Sequence, residues 1–81
     1  MLTDRQRMQV KKAIGHRHGL LPETVDLTDI HNVPNSTIAW GKKVEIKIDF
    51  SHPTGYWGSE TFLFDPTDLR KSPFLMKGAN V

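Results

Sequence analysis

No cysteine occurs among the 81 residues, so the chain has no disulfide framework, thiol nucleophile or cysteine-based zinc site. Long apolar runs are missing too: nothing approaches the roughly 18 apolar residues of a spanning helix. The opening segment, MLTDRQRMQV, carries charges where a secretory leader needs an apolar core. A soluble, cytoplasmic protein without a membrane partner is therefore expected. There is no glycine-rich phosphate loop, serine elbow or paired-carboxylate motif, and nothing calls for a cofactor. At this length the chain makes one domain, residues 1–81. Such a domain buries only about 60–65% of its unfolded surface, so it leans on packing or on a partner subunit, a homodimer included. Its 37% hydrophobic and 25% charged content nevertheless suits a globular chain rather than a disordered one.

What is present is organised around residues 43–65. Val44, Ile46, Ile48 and Phe50 alternate with Glu45, Lys47 and Asp49, the period-2 pattern of a half-buried strand. A second run places Phe62 and Phe64 on one face, after a polar loop containing Pro53, Gly55 and Gly58. Together they predict an antiparallel hairpin with a long connection tipped by Tyr56 and Trp57.

Ahead of the hairpin, Thr3 and Gln6 have the spacing of a capping box, which predicts a helix over about 4–18, with Gly19 at its C′ position. At about 100° per residue, Val10, Ala13, Ile14 and Leu21 fall on one side of it and Arg5, Lys12 and His16 on the other. Gly15 should weaken it. Charge is uneven: residues 1–21 hold Arg5, Arg7, Lys11, Lys12 and Arg17 against Asp4, whereas 22–41 hold Glu23, Asp26 and Asp29 without lysine or arginine.

Two readings of residues 24–41 stand. In the extended one, Val25 and Leu27 alternate with polar residues, Pro34-Asn35 turns, and Ile38 and Trp40 join the face of Val44 through a bulge near Gly41 or a Gly41-Lys42-Lys43 loop. In the helical one, DLTDIHNVPNSTIAW resembles a helix-turn-helix unit. Leu27 lies in its first helix, Asn32 and Val33 at its turn, and Asn35, Ser36 and Thr37 open a recognition helix facing base edges. The following strand-loop-strand is similar to the wing of winged-helix proteins. His31, Gly41 and Thr28 depart from that pattern. Downstream, Asp65-Pro66-Thr67-Asp68 reads as a capped helical turn continued by Leu69 and Arg70, and Phe74, Leu75 and Met76 as a short apolar tail in the segment 66–81.

The expected fold is α+β: an N-terminal helix packed on a small antiparallel sheet of about three strands built on the hairpin, with a winged helix-turn-helix as the alternative. Four histidines are present, but His16 and His18 point about 200° apart on a helix and His31 and His52 stand alone, so no metal site is expected. Asp49, His52, Tyr56 and Glu60 surround the hairpin loop and are the residues a compact basic nuclease would use. Asp49 equally fits a strand charge paired with Lys47 or Arg70. A binding module rather than an enzyme is the preferred reading, with nucleic acid, DNA foremost, as partner. Arg5, Arg7, Lys11, Lys12, His16 and Arg17 would line a phosphate backbone, extended by Lys42, Lys43, Arg70 and Lys71. Tyr56 and Trp57 would reach a groove or an unpaired base, or Trp57 would fold back over Trp40. The rival is an inhibitor or adaptor gripping a host or other partner protein by the sheet edge or the Tyr56–Trp57 loop, a size and style that suit a phage or mobile-element accessory protein.

Overall fold

Helix α1 (Asp4–His18) starts where its cap places it. Thr3 Oγ1 accepts from the Gln6 backbone N–H at 3.1 Å, and Gln6 Oε1 accepts from the Thr3 N–H at 2.9 Å, closing the capping box. The computed structural model describes residues 2–32, 43–68 and 70–76. At its far end α1 stops on Gly19, whose φ of 71° is left-handed, and the Leu20 N–H reaches back 2.8 Å to the Gly15 carbonyl. That is a Schellman closure, and it reverses the chain. It also corrects the apolar stripe: the positive φ ends the helical period, so Leu20 packs against the core while Leu21 stays 64% exposed.

A 3-10 turn, Pro22–Thr24, leads into β1 (Asp26–Asn32). Strands β2 (Val44–Ser51), β3 (Trp57–Phe64) and the two-residue β4 (Phe74–Leu75) complete an antiparallel sheet in the order β1-β2-β3-β4. One helix on an antiparallel meander is the expected α+β architecture, with a fourth strand where the apolar tail was anticipated. Leu27, placed in a first helix by the helix-turn-helix resemblance, and Asn32, placed at its turn, instead pair with β2 as strand, with Thr28 as the extra residue of a bulge. The recognition-helix positions 34–37, along with Ile38, Trp40 and Lys42, lie outside the described residues. After β3 the expected cap forms, Asp65 Oδ1 accepting from the Thr67 N–H at 2.9 Å and its hydroxyl at 2.6 Å. The described residues there continue as turns rather than helix, an Asx-turn outcompeting the helix the cap would start.

Val10 and Ile14 of α1, Val25, Ile46, Ile48 and Phe50 of β2, and Phe62 and Phe64 of β3 make the core. Because strand side chains alternate, the register sets Ile46 beside Phe62, Ile48 beside Glu60 and Phe50 beside Gly58 on the face that α1 covers. Gly58 packs tightly there: a Cβ would stand 3.1 Å from Phe50 Cζ, close enough that the ring would have to shift. The odd-numbered residues of β2 and β3, among them Asp49, Trp57 and Ser59, lie on the opposite face. Glu60 is thus a carboxylate placed on the core side of its strand.

Candidate functional site

The outward side of α1 is basic. Arg5, Arg7, Lys12 and His16 are exposed and Lys11 half-buried, while Val10 and Ile14 pin the inner side. Arg5, Arg7, Lys11 and Lys12 form no ion pair with a carboxylate among the described residues. Arg7, Lys11 and Lys12 rim a groove of about 520 Å³ between α1 and the 3-10 turn, with Met8 and Pro22 as apolar walls and Asp4 and Glu23 as its acidic members.

Of the other expected phosphate contacts among the described residues, Arg17, Arg70 and Lys71 have carboxylate partners. Arg17 turns back onto the sheet, its Nη1 donating to Glu60 Oε1 at 2.9 Å and to the Met76 carbonyl at 3.0 Å. Lys43 and Lys71 sit by Asp65, the latter at 3.8 Å, and Arg70 lies 3.6 Å from Asp68. Asp65 is held below its ordinary value of 3.8, chiefly by the Thr67 hydroxyl and backbone N–H, with Lys71 and Lys43 adding to the effect.

The four groups expected around the hairpin loop divide. Loop residues 52–56 close through the His52 N–H donating to the Tyr56 carbonyl at 2.7 Å and the Gly55 N–H to the His52 carbonyl at 2.9 Å, with Gly55 at φ 94°. The His52 Nδ1 is engaged inside that turn, 2.8 Å from Thr54 Oγ1. Asp49 belongs to the open face. Its Oδ1 accepts from Ser59 Oγ at 2.6 Å and its Oδ2 lies 3.3 Å from His31 Nε2. Those two hydrogen bonds, Ser59 first, lower its pKa from 3.8. Asp29 joins His31 at 3.3 Å as well. The three ligand-type atoms lie within 4.8 Å of one another, the one such trio among the described residues. Sequence spacing hid it, because Asp49 meets the others only through strand pairing.

Tyr56 and Glu60 do converge, on His18, a residue weighed from its spacing only as a metal ligand. His18, the last residue of α1, places Nε2 2.6 Å from Glu60 Oε2 and Nδ1 2.8 Å from the Tyr56 hydroxyl. Its ring packs on Phe50 at 4.9 Å between centroids and on Tyr56 at 5.7 Å. The result is a continuous chain from carboxylate to imidazole to phenol, with Arg17 on the far carboxylate oxygen. The Glu60 side chain is 10% exposed at one end and Tyr56 47% exposed at the other. A signal was available: counting back by twos from Phe64 and Phe62 puts Glu60 on the core face, where a lone carboxylate needs partners.

Trp57 is 75% exposed and, by register, opens away from α1. Tyr56 thus turns toward the end of α1 and Trp57 away from the helix. No protein-family model matches the chain, and no curated protein or solved structure matches it either.

Proposed function

We propose that the protein is a nucleic-acid-binding module, DNA being the first choice, that lays a phosphate backbone along the outward side of α1. The observation that carries this reading is that Arg5, Arg7, Lys11 and Lys12 stand on one helix with no ion-pair partner among the described residues. Cations already paired to carboxylates have little to gain from a phosphate; these would release counterions on binding it. His16, exposed on the same helix, shares the outward side with Arg5 and Lys12, while Arg7 and Lys11 flank it. If about four phosphates are contacted, log K should fall with log salt at a slope of roughly −3 to −4. Fluorescence anisotropy of a labelled oligonucleotide across a salt series tests this. Arg5→Ala with Lys12→Ala should weaken binding on every sequence and flatten the slope by about 2. Unchanged affinity in that double variant would end the proposal.

A second reading is favoured by Trp57. An indole three-quarters in solvent on the sheet face away from α1 suits an anchor for a partner protein. Trp57→Ala abolishing binding of such a partner, with a shallow salt dependence, would select it.

A further inference from the structure

We propose that Glu60, His18 and Tyr56 form a proton relay that makes the Tyr56 hydroxyl a nucleophile toward phosphodiesters. The choice of substrate class rests on the phosphate-binding reading of α1; the relay rests on its own geometry. The carboxylate–imidazole–hydroxyl connectivity is that of a hydrolase triad, which is recognised by geometry and roles rather than by fold. Here a phenol stands in the place of the serine.

With the imidazole neutral and its proton on Nε2, that N–H donates to Glu60 Oε2 at 2.6 Å, and Nδ1 is left to accept from the Tyr56 hydroxyl at 2.8 Å. Glu60 is restrained because its other oxygen is held by Arg17. The imidazole plane is set by Phe50 behind it. Exposure rises along the relay, from a mostly covered carboxylate to a phenol open to solvent. A substrate therefore meets the hydroxyl end first. Arg17 uses Nη1 for both of its bonds, tying the Glu60 carboxylate to the Met76 carbonyl. All of this hangs on the last turn of the helix whose earlier turns carry the free cations.

The step balances without a co-reactant. Tyr56 Oη gives its proton to His18 Nδ1 and attacks phosphorus. The bond from phosphorus to the leaving oxygen breaks, and that oxygen takes the proton from Nδ1. The products are a phosphotyrosyl diester on Tyr56 and a free hydroxyl on the departing strand. Tyr56 and His18 are the catalytic residues; Glu60 and Arg17 are positioning residues.

The test uses the full chain and a small probe, the p-nitrophenyl ester of thymidine 5′-monophosphate, which needs no docking along α1. The expected result is a nitrophenolate burst no larger than the protein concentration, with the nucleotidyl mass found by spectrometry on the Tyr56 peptide. Tyr56→Phe should abolish the burst and keep the far-ultraviolet circular dichroism spectrum of the unaltered protein. His18→Ala should slow it by about 10²–10⁴-fold, with partial rescue by added imidazole. Glu60→Gln should slow it and change its pH profile, which loss of a merely structural bond would not do. No burst from the unaltered protein, or equal bursts from it and Tyr56→Phe, overturns the relay. Arg5→Ala with Lys12→Ala separates the two ideas: oligonucleotide binding falls while the small-probe burst persists. A burst with no oligonucleotide affinity would instead remove the phosphate-binding reading and leave the relay standing.

Discussion

Replacing Gly15 by alanine should destabilise this protein, against the ordinary rule for helices. In an exposed helix interior, glycine to alanine gains about 1 kcal/mol from reduced unfolded-state freedom and better propensity. Gly15 is in the last turns of α1 and is buried. A Cβ there would stand 2.5 Å from the Leu20 carbonyl oxygen, 3.4 Å from its carbon and 3.4 Å from the Pro22 nitrogen. All three are backbone atoms, so no side-chain rotation relieves the contact. The Leu20 N–H that closes the helix on the Gly15 carbonyl moves with the same segment. Overpacking of this kind costs about 1–3 kcal/mol, and weakening the closing hydrogen bond adds about 1 kcal/mol. Set against the propensity gain, the net is a loss of roughly 1–3 kcal/mol. In a domain this small that lowers Tm by about 4–8 °C for each kcal/mol.

Gly19 supplies the control. It has open space around its Cβ position but sits at φ 71°, so alanine there should cost about 1–2 kcal/mol through backbone conformation alone. Thermal unfolding followed by circular dichroism, with urea unfolding as a second measure, reads both variants. A Gly15→Ala protein with a raised Tm would refute the close approach of the Leu20 carbonyl, and with it the geometry that ends α1.

Other perturbations follow from the same structure. Thr3→Ala removes one side of the capping box and should cost about 1 kcal/mol in urea unfolding, whereas Met8→Ala, at an exposed site, should stay within about 0.5 kcal/mol. Ile48→Val, at a fully buried strand position, should cost about 0.5–1.5 kcal/mol. Asp49 and Asp65 both have folded-state pKa values below 3.8. Their stabilisation is therefore complete above that value and is lost as pH falls through the lower folded values, so an acid titration should show unfolding free energy declining from about pH 4 downward. Ser59→Ala removes the largest cause at Asp49; its carboxyl pKa should rise in an NMR titration. The variant's stability deficit should shrink in acid, and a deficit equal at pH 7 and pH 2 would contradict the assignment.

How much was legible in the sequence depends on the range of the interaction. Local chemistry was readable: the Thr3–Gln6 box, the Gly19 stop, and the alternation that gave β2 and β3 their covered face all act within a few residues. Asp65 capping the next turn was readable for the same reason. Leu21 was misplaced because a single left-handed residue shifts everything after it off the helical period. The extra strand β4 was missed because two residues carry no period; Phe74 and Leu75 become strand only by pairing with Leu63 and Phe62. The His18 cluster was missed for a deeper reason. His18 and Glu60 are separated by 42 positions, and Tyr56 was grouped with Asp49 and His52 by proximity in sequence. Strand parity sends Asp49 to one face of the sheet and Glu60 to the other, and only the second is the face that α1 crosses.

That parity bears directly on what the hairpin tip can do. A tip of two adjacent aromatics invites the picture of a single hydrophobic probe entering a groove. The pairing of Ser51 with Trp57, the last rung of the hairpin, commits Trp57 to the open face. Tyr56, still in the loop, turns its hydroxyl toward the end of α1. Because His16 and His18 point about 200° apart, the Arg5–Lys12–His16 side of α1 and the Tyr56 hydroxyl lie on different sides of the helix end. A partner covering the open face would meet Trp57, and with it Asp29, His31 and Asp49, without touching the free cations. The two surfaces are separated by the sheet itself, so occupation of one leaves the other available. A salt-sensitive strand and a salt-insensitive protein need not compete for this domain, and displacement of one by the other would mean that at least one surface has been assigned to the wrong ligand.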